Sequence, residues 1–308
     1  MITAENLTKV YGKRAALDHV SFEVPEGEIF GFVGPNGAGK TTTLRILAAL
    51  LEPTGGHASI GGVDVAKQPD LVHSRLGYMP DFFGVYDKLT VSEYLDFYAA
   101  CYRQNKQRRS KVVADLLELI GLTERRDQLV DTLSRGLKQR LCLARALVHD
   151  PVVLLLDEPA SGLDPRARVD MREILKELRR MGKTIVISSH ILPELTELCT
   201  MIGIIDHGRM RATGSVQEVI QHLSAGRRVR IAVVGDSEAA LEILKPLASV
   251  SHTEIANGAI EATYEGDDST AAEILQALTA GGIKVSAFSQ VDGGLEEAFM
   301  RATSDEVG

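Results

Sequence analysis

"GFVGPNGAGKTTTL", residues 31–44, decides the fold. An apolar, strand-like stretch runs into a turn rich in glycine, and a helical pattern, "KTTTLRILAAL", starts at Lys40. Gly34, Pro35, Asn36, Gly37, Ala38, Gly39, Lys40 and Thr41 satisfy the spacing G-x-x-x-x-G-K-[ST] between a strand and a helix. A triphosphate needs several converging donors, and backbone N–H groups at a helix start supply them. The glycines let the backbone approach. Lys40 adds a positive charge at the β and γ phosphates, and the Thr41 hydroxyl is a ligand for Mg2+.

A second stretch, "VVLLLDEP", ends a continuous apolar run (152–156) with two acids. Such a run is expected of a parallel strand buried on both faces. Acids at its C-terminal end stand where open α/β sheets bind ligands. Asp157 is placed to hold Mg2+ and Glu158 to orient or deprotonate an attacking water. Two acids in a loop are commonly just solvated; the phosphate loop upstream gives these a ligand. In "DTLSRGLKQRLCLARAL", residues 131–147, Ser134 reads as a helix cap and Leu141, Ala144 and Leu147 as one apolar face. The first turn, with Arg135, Lys138 and Arg140, is oddly basic, because the macrodipole favours acids there.

The 308 residues are enough for one large or two modest domains. Hydrophobic residues make up 44% and charged residues 25%, the balance of a globular protein. A net charge of -8 argues against a nucleic-acid coat, so no nucleic acid partner is expected. "MITAENLTKV" has no apolar signal core, and no apolar run approaches the ~18 residues of a membrane helix. The expectation is a cytoplasmic protein that sits on a membrane partner rather than spanning the bilayer. Cys101, Cys142 and Cys199 lie far apart in apolar or helical contexts and are expected to be reduced structural thiols.

Along the chain, strands and turns with one helix fill residues 1–80, and a mostly helical block spans about 84–150. Strand–helix alternation returns over 151–222, with "KTIVISSH" as a strand after the amphipathic helix "RVDMREILKELRRMG". "SAGRR" (224–228) marks a boundary. Beyond it the order strand-helix-strand-strand-helix-strand fits a split βαβ, ferredoxin-like module, closed by a short helix at "GLEEAFMRAT". Domains are therefore expected at 1–223 and 228–301.

Taken in order, these residues resemble the nucleotide-binding subunit of ATP-binding cassette (ABC) transporters over about residues 2–222. The resemblance implies a P-loop NTPase core of α/β class, with an inserted α-helical subdomain and the small C-terminal α+β domain appended. Gly34 to Thr42, including Thr42, match its phosphate loop, and Asp157 and Glu158 its second motif and catalytic glutamate. Tyr11 is similar to the residue that stacks on adenine; its other reading is an ordinary half-buried tyrosine. His190 in "ISSH" is similar to the switch histidine, and "SGLD", with Asp164, to the loop that crosses the dimer interface. Ser134, Arg135, Gly136 and Leu137 match the signature, usually L-S-G-G-Q; Arg135 and Leu137 depart from it.

The family dimerises head to tail, with the signature helix of one subunit aimed at the γ-phosphate held by the other. Dipole, Ser134 hydroxyl and Gly136 N–H would all face that anion, a partner for which a basic turn makes sense. In "LGYMPDFF", Asp81 stands where the family commonly has Gln; its carboxylate can ligate Mg2+, but it is one carbon shorter than Gln and charged. The implied function is ATP hydrolysis that powers a transporter of the ABC-2 exporter type. It implies a homodimer sandwiching two ATP with Mg2+, and a separate multi-span permease that holds it on the inner face of the membrane. The aromatic stretch Phe82, Phe83, Val85 and Tyr86 is expected either to dock that permease or to pack inside the subunit. The rival is a soluble regulatory ATPase of the same cassette type, without a membrane partner.

Overall fold

A computed structural model describes residues 1–81, 84, 88–223, 227–256 and 258–291. The chain divides into two compact units, 1–216 and 217–308. In the first, β1 (Ile2–Tyr11), β2 (Arg14–Val24), β3 (Ile29–Val33), α1 (Lys40–Leu47), β4 (Gly55–Ile60) and β5 (Val63–Asp64) come first. Then follow α2 (Pro69–Arg75), β6 (Leu76–Met79), α3 (Val91–Cys101), α4 (Lys106–Leu119) and α5 (Arg135–Leu147). β7 (Val153–Asp157), α6 (Pro165–Arg180), β8 (Thr184–Ser189), α7 (Leu192–Thr196), β9 (Met201–Asp206) and β10 (Arg209–Ser215) complete it. The second unit holds all but the first residue of α8 (Val216–Leu223), then β11 (Arg227–Val234), α9 (Ser237–Leu244), β12 (Val250–Ala256), β13 (Ala259–Tyr264), α10 (Asp268–Ala280) and β14 (Lys284–Val291).

The sheet that positions the site runs β10-β9-β3-β8-β7-β6, parallel except for the edge strand β10. Every residue of β3, β7 and β8 is buried, which is why "IFGFV", "VLLLD" and "TIVISS" read as runs rather than as alternation. A second, antiparallel sheet, β2-β1-β4-β5, packs on it. Phe22 of β2 stacks on Phe30 of β3 at 5.2 Å between centroids, with Phe32 5.5 Å away. Full burial of each such ring is worth roughly 1.5–3 kcal/mol.

The helical block is the crossover from β6 to β7, neighbours in the sheet. α3 opens with a capping box between Thr90 and Glu93. α6 buries Ala167, Met171, Ile174, Leu175 and Leu178, the stripe expected from a helix lying on a sheet. In the second unit the strand order is β12-β13-β11-β14, all antiparallel, and α9 and α10 close its core on Val229, Ile231, Ile260 and Tyr264.

Three sequence expectations change. Residues 1–80 carry a second helix, α2, started by Pro69 at its first position. The units divide at Val216, so α8 falls with the C-terminal unit rather than within 1–223. Cys101 is exposed, because it ends α3 on the solvent side, whereas Cys142 and Cys199 are buried. Phe82, Phe83, Val85 and Tyr86, and the closing helix expected at 294–303, lie outside the described residues. Among the described residues no helix is long and apolar enough to cross a membrane.

Burial pushes the Cys142 thiol up to about 11 and raises that of Cys199 as well. Thiolate is the reactive form, so both are shielded chemically as well as sterically. Iodoacetamide at pH 8 on the native protein should label Cys101 alone, and all three sites after denaturation. Mass spectrometry showing native labelling of Cys142 would contradict the packing of α5.

Candidate nucleotide site

At the C-terminal ends of β3, β7 and β8 a cleft of about 610 Å³ opens, within the usual size of a small-ligand site. Tyr11, Asn36, Gly37, Gly39, Lys40, Thr41, Thr42, Asp81, Glu158 and His190 line it, from separate stretches of chain. Parallel pairing brings them together: Val33 of β3 stands beside Ser189 of β8, and Ser188 beside Asp157 of β7. Gly34 follows β3, Glu158 follows β7 and His190 follows β8, so loop, acids and histidine emerge side by side.

The glycine loop is shaped by close approach. A Cβ on Gly34 would lie 2.3 Å from the Ile205 carbonyl oxygen. Gly39 caps α1 with φ 113°, and no side chain caps the helix. The start of α1 is therefore presented to the cleft by backbone alone, the geometry suited to an anion. Pro35 and Ala38 serve the turn: Ala38 N–H donates to the Pro35 carbonyl at 3.2 Å.

Lys40 is 6% exposed. Its ammonium donates to the Gly34 and Pro35 carbonyls at 2.7 and 3.2 Å and lies 3.5 Å from Glu158 Oε1. Burial holds it below the usual lysine range, while Glu158, Asp157 and Asp81 pull the other way. On its other oxygen Glu158 accepts a 2.8 Å hydrogen bond from His190 Nδ1. Lysine, glutamate and histidine thus form one linked chain across the cleft. Glu158 itself has φ 50°, a left-handed backbone that costs a non-glycine residue about 1–3 kcal/mol.

Asp157 is 1% exposed. One carboxylate oxygen accepts from Ser188 Oγ at 2.6 Å; the other, Oδ2, is buried without a hydrogen-bond partner. A bare carboxylate oxygen in such a place is costly unless something electropositive meets it. Divalent magnesium fits that donor set, with the Thr41 hydroxyl and the Asp81 carboxylate on the cleft wall. Among the described residues no group of three His, Cys, Asp or Glu is arranged to hold a metal by itself, so phosphate oxygens and water would have to complete the shell.

The signature residues Ser134, Arg135, Gly136 and Leu137, and Asp164, do not line this cleft. Ser134 caps α5, accepting from Leu137 N–H at 3.4 Å, and Asp164 caps α6, accepting from Ala167 N–H at 2.9 Å. A Cβ on Gly136 would lie 3.1 Å from Ala167 Cβ, so the two helix starts pack together. Of the basic residues that open α5, Lys138 donates to the Asp131 carbonyl at 2.8 Å and Arg140 pairs with Asp170 at 2.8 Å. These two charges therefore have partners in their own chain, and the phosphate is not needed to explain them. The guanidinium of Arg135 lies over Gly162: a Cβ there would be 2.5 Å from Arg135 Cζ. Gln139 Nε2 adds a bond to the Ser161 carbonyl at 3.3 Å, tying α5 to the 161–164 loop.

The sequence did not single out Ser188 or Arg14, and it placed Ser161 only in the "SGLD" loop, not on the cleft wall. Arg14 and Ser161 line the cleft, and Ser188 bonds to both Asp157 and Glu158. Arg14 sits in a charged turn with no spacing signal. Ser188 stood within "ISSH", where only the histidine carries a chemical signature.

A phosphate loop at the end of a parallel strand, facing a buried Asp-Glu pair and a histidine, defines a nucleoside triphosphatase of the ATP-binding-cassette class. A family model described as ABC transporter matches residues 17–161. The chain belongs to the ABC transporter family, as an ATP-binding, ATP-hydrolysing subunit. It is 36% identical over 251 residues to the linearmycin resistance ATP-binding protein LnrL of Bacillus subtilis, covering 82% of this chain and 81% of that one. It is 34% identical over 304 residues to the daunorubicin/doxorubicin resistance ATP-binding protein DrrA of Streptomyces peucetius, covering 98% and 92%. A solved dimeric cassette in a post-hydrolysis state, bound to ADP and Pi, superposes with a TM-score of 0.64 at 27% identity, over 70% of this chain and 99% of that one.

Arg135→Gly should leave ATPase activity within about an order of magnitude, since one exposed charge is worth roughly 1 kcal/mol or less. Ser134→Arg should be far worse, because it removes the cap hydroxyl and puts bulk at the helix start. Equal losses in the two variants would refute this division of roles.

Proposed function

We propose that the chain is the energy-supplying ATPase of an ABC-2-type exporter whose cargo resembles those of the resistance proteins above. The observation that carries the site assignment is the buried, unpartnered Oδ2 of Asp157 beside the Lys40–Glu158–His190 chain. Thr41, Asp157 and Asp81 would hold Mg2+, which supplies charge neutralisation on the β and γ phosphates. Tyr11, 51% exposed at the mouth of the cleft, would stack on adenine. The phosphates would meet the backbone from Gly34 to Thr42, and Lys40 would exchange two neutral carbonyls for anionic oxygens.

Hydrolysis is in-line attack of water on the γ-phosphorus, giving ADP and phosphate, with catalysis by position and charge. Glu158 accepts a hydrogen bond from the attacking water and receives its proton. His190 holds Glu158 through Nδ1 and presents the rest of its ring to the γ-phosphate side. Two copies would sandwich two ATP. The location of Ser134 to Leu137 and Asp164 away from their own cleft supports this, since they would act on the partner's nucleotide. A separate multi-span permease would hold the dimer on the inner face of the membrane. The C-terminal unit would be a ferredoxin-like accessory domain outside the catalytic core.

Glu158→Gln should keep ATP binding, lower hydrolysis by about 100-fold or more, and trap an ATP-bound dimer visible by size exclusion. Lys40→Ala should instead weaken ATP binding by roughly 10–100-fold, the loss of a charge-assisted phosphate contact. Wild-type turnover by Glu158→Gln would refute the water-activating role. For the permease, affinity purification of the tagged chain from solubilised membranes should recover a multi-span protein at near 1:1 stoichiometry. Recovery of the chain in the soluble fraction alone would favour the regulatory reading.

A further inference from the structure

Ser188 is the penultimate residue of β8 and has no exposed surface. Its hydroxyl donates to Asp157 Oδ1 at 2.6 Å and accepts from the Glu158 N–H at 2.9 Å. A single oxygen therefore grips two consecutive residues of the neighbouring strand end, the carboxylate of one and the backbone of the next. Both grips have consequences for the site. Occupying Oδ1 fixes the plane of the Asp157 carboxylate and leaves Oδ2 as its free, buried oxygen. Holding the Glu158 N–H pins the residue whose backbone is left-handed, with φ 50°. That backbone in turn aims the Glu158 side chain between Lys40, 3.5 Å away, and His190, 2.8 Å away.

We propose that Ser188 is a positioning residue for ATP hydrolysis: its hydroxyl sets Asp157 for the metal and Glu158 for the water at the same time. The inference rests on the roles given above to Asp157 and Glu158. The chemistry calls for a hydroxyl, which is donor and acceptor in one atom. Alanine is neither, cysteine is a weak version of both, and threonine keeps both. A merely structural serine, one that only satisfies two buried groups, would set stability and leave the metal dependence and turnover of folded molecules unchanged.

The test compares Ser188→Ala, Ser188→Cys and Ser188→Thr in the full chain, with Glu158→Gln alongside. Four quantities are read: the thermal midpoint, ATP affinity in EDTA, the free Mg2+ for half-maximal ATPase, and kcat. Ser188→Ala should keep metal-free ATP affinity, because the glycine loop and Lys40 are untouched. It should raise the half-saturating Mg2+ by about 10-fold and lower kcat by about as much, the scale seen when a partner of a metal ligand is removed. Ser188→Thr should return both toward wild type, with Ser188→Cys between. Wild-type Mg2+ dependence and kcat in folded Ser188→Ala would overturn the inference, as would Ser188→Thr impaired as severely as Ser188→Ala. Should Ser188→Ala fail to fold, Ser188→Cys, close in volume, takes its place: raised Mg2+ demand and lowered kcat support the inference, and wild-type values overturn it. Hydrolysis by Glu158→Gln at the wild-type rate would instead overturn the reading of the acid pair, so the two failures are distinct.

Discussion

The parallel pairing of β3, β8 and β7 is the constraint on which the site depends. Three strands that run the same way end at the same edge. One delivers the glycine loop there, the next a serine and a histidine, and the third the acid pair. The register sets the match, with Val33 beside Ser189 and Ser188 beside Asp157. A slip of one residue would turn Ser188 to the opposite face of the sheet and leave the Asp157 carboxylate with neither oxygen satisfied. The burial of all three strands on both faces holds that register, because any slip exposes or crowds Ile, Val and Leu side chains.

Within this frame the site carries its own tension. A lysine and two acids stand at the end of a buried sheet, and their burial opposes their charge. Lys40 is pulled below its ordinary range by desolvation and back by three carboxylates. Glu158 adopts a backbone that most residues avoid. Neither arrangement is what stability alone would select. Both are kept by local bonds: the Gly34 and Pro35 carbonyls accept from Lys40, and Ser188 and His190 hold the backbone and the side chain of Glu158. Strain of this kind commonly collects at reactive centres, where orientation matters more than comfort.

The starts of α5 and α6 form a packed unit whose capping residues lie outside the cleft's lining. α5 and α6 start close together, each capped by the residue that precedes it, Ser134 and Asp164. Gly136 admits Ala167, Gln139 holds the Ser161 carbonyl, and the Arg135 guanidinium covers Gly162. The two segments are therefore tied to one another by packing and a hydrogen bond. Ser161 lies on the wall of the cleft, so that unit is joined to the subunit's own site at one end.

The amino-acid sequence determined the glycine loop, the acid pair, the histidine that follows β8 and the alternation of strands and helices. Each of these is a local matter: glycine spacing sets backbone conformation, and apolar runs or stripes report which faces are buried. It also carried the strand-helix order of the C-terminal unit, through alternation at Val229, Ile231, Ile260 and Ala262. The tertiary structure alone decided what crosses between segments. It linked Ser188 to Asp157 and Glu158, gave Lys138 and Arg140 partners in their own chain, laid Arg135 on Gly162, and left Cys101 exposed. The physical reason is the same in each case. A hydrogen bond or a packing contact between distant residues depends on strand order and helix placement, and many such orders are compatible with one local pattern. Only when burial selects one of them does a serine two residues before a histidine become the partner of two acids.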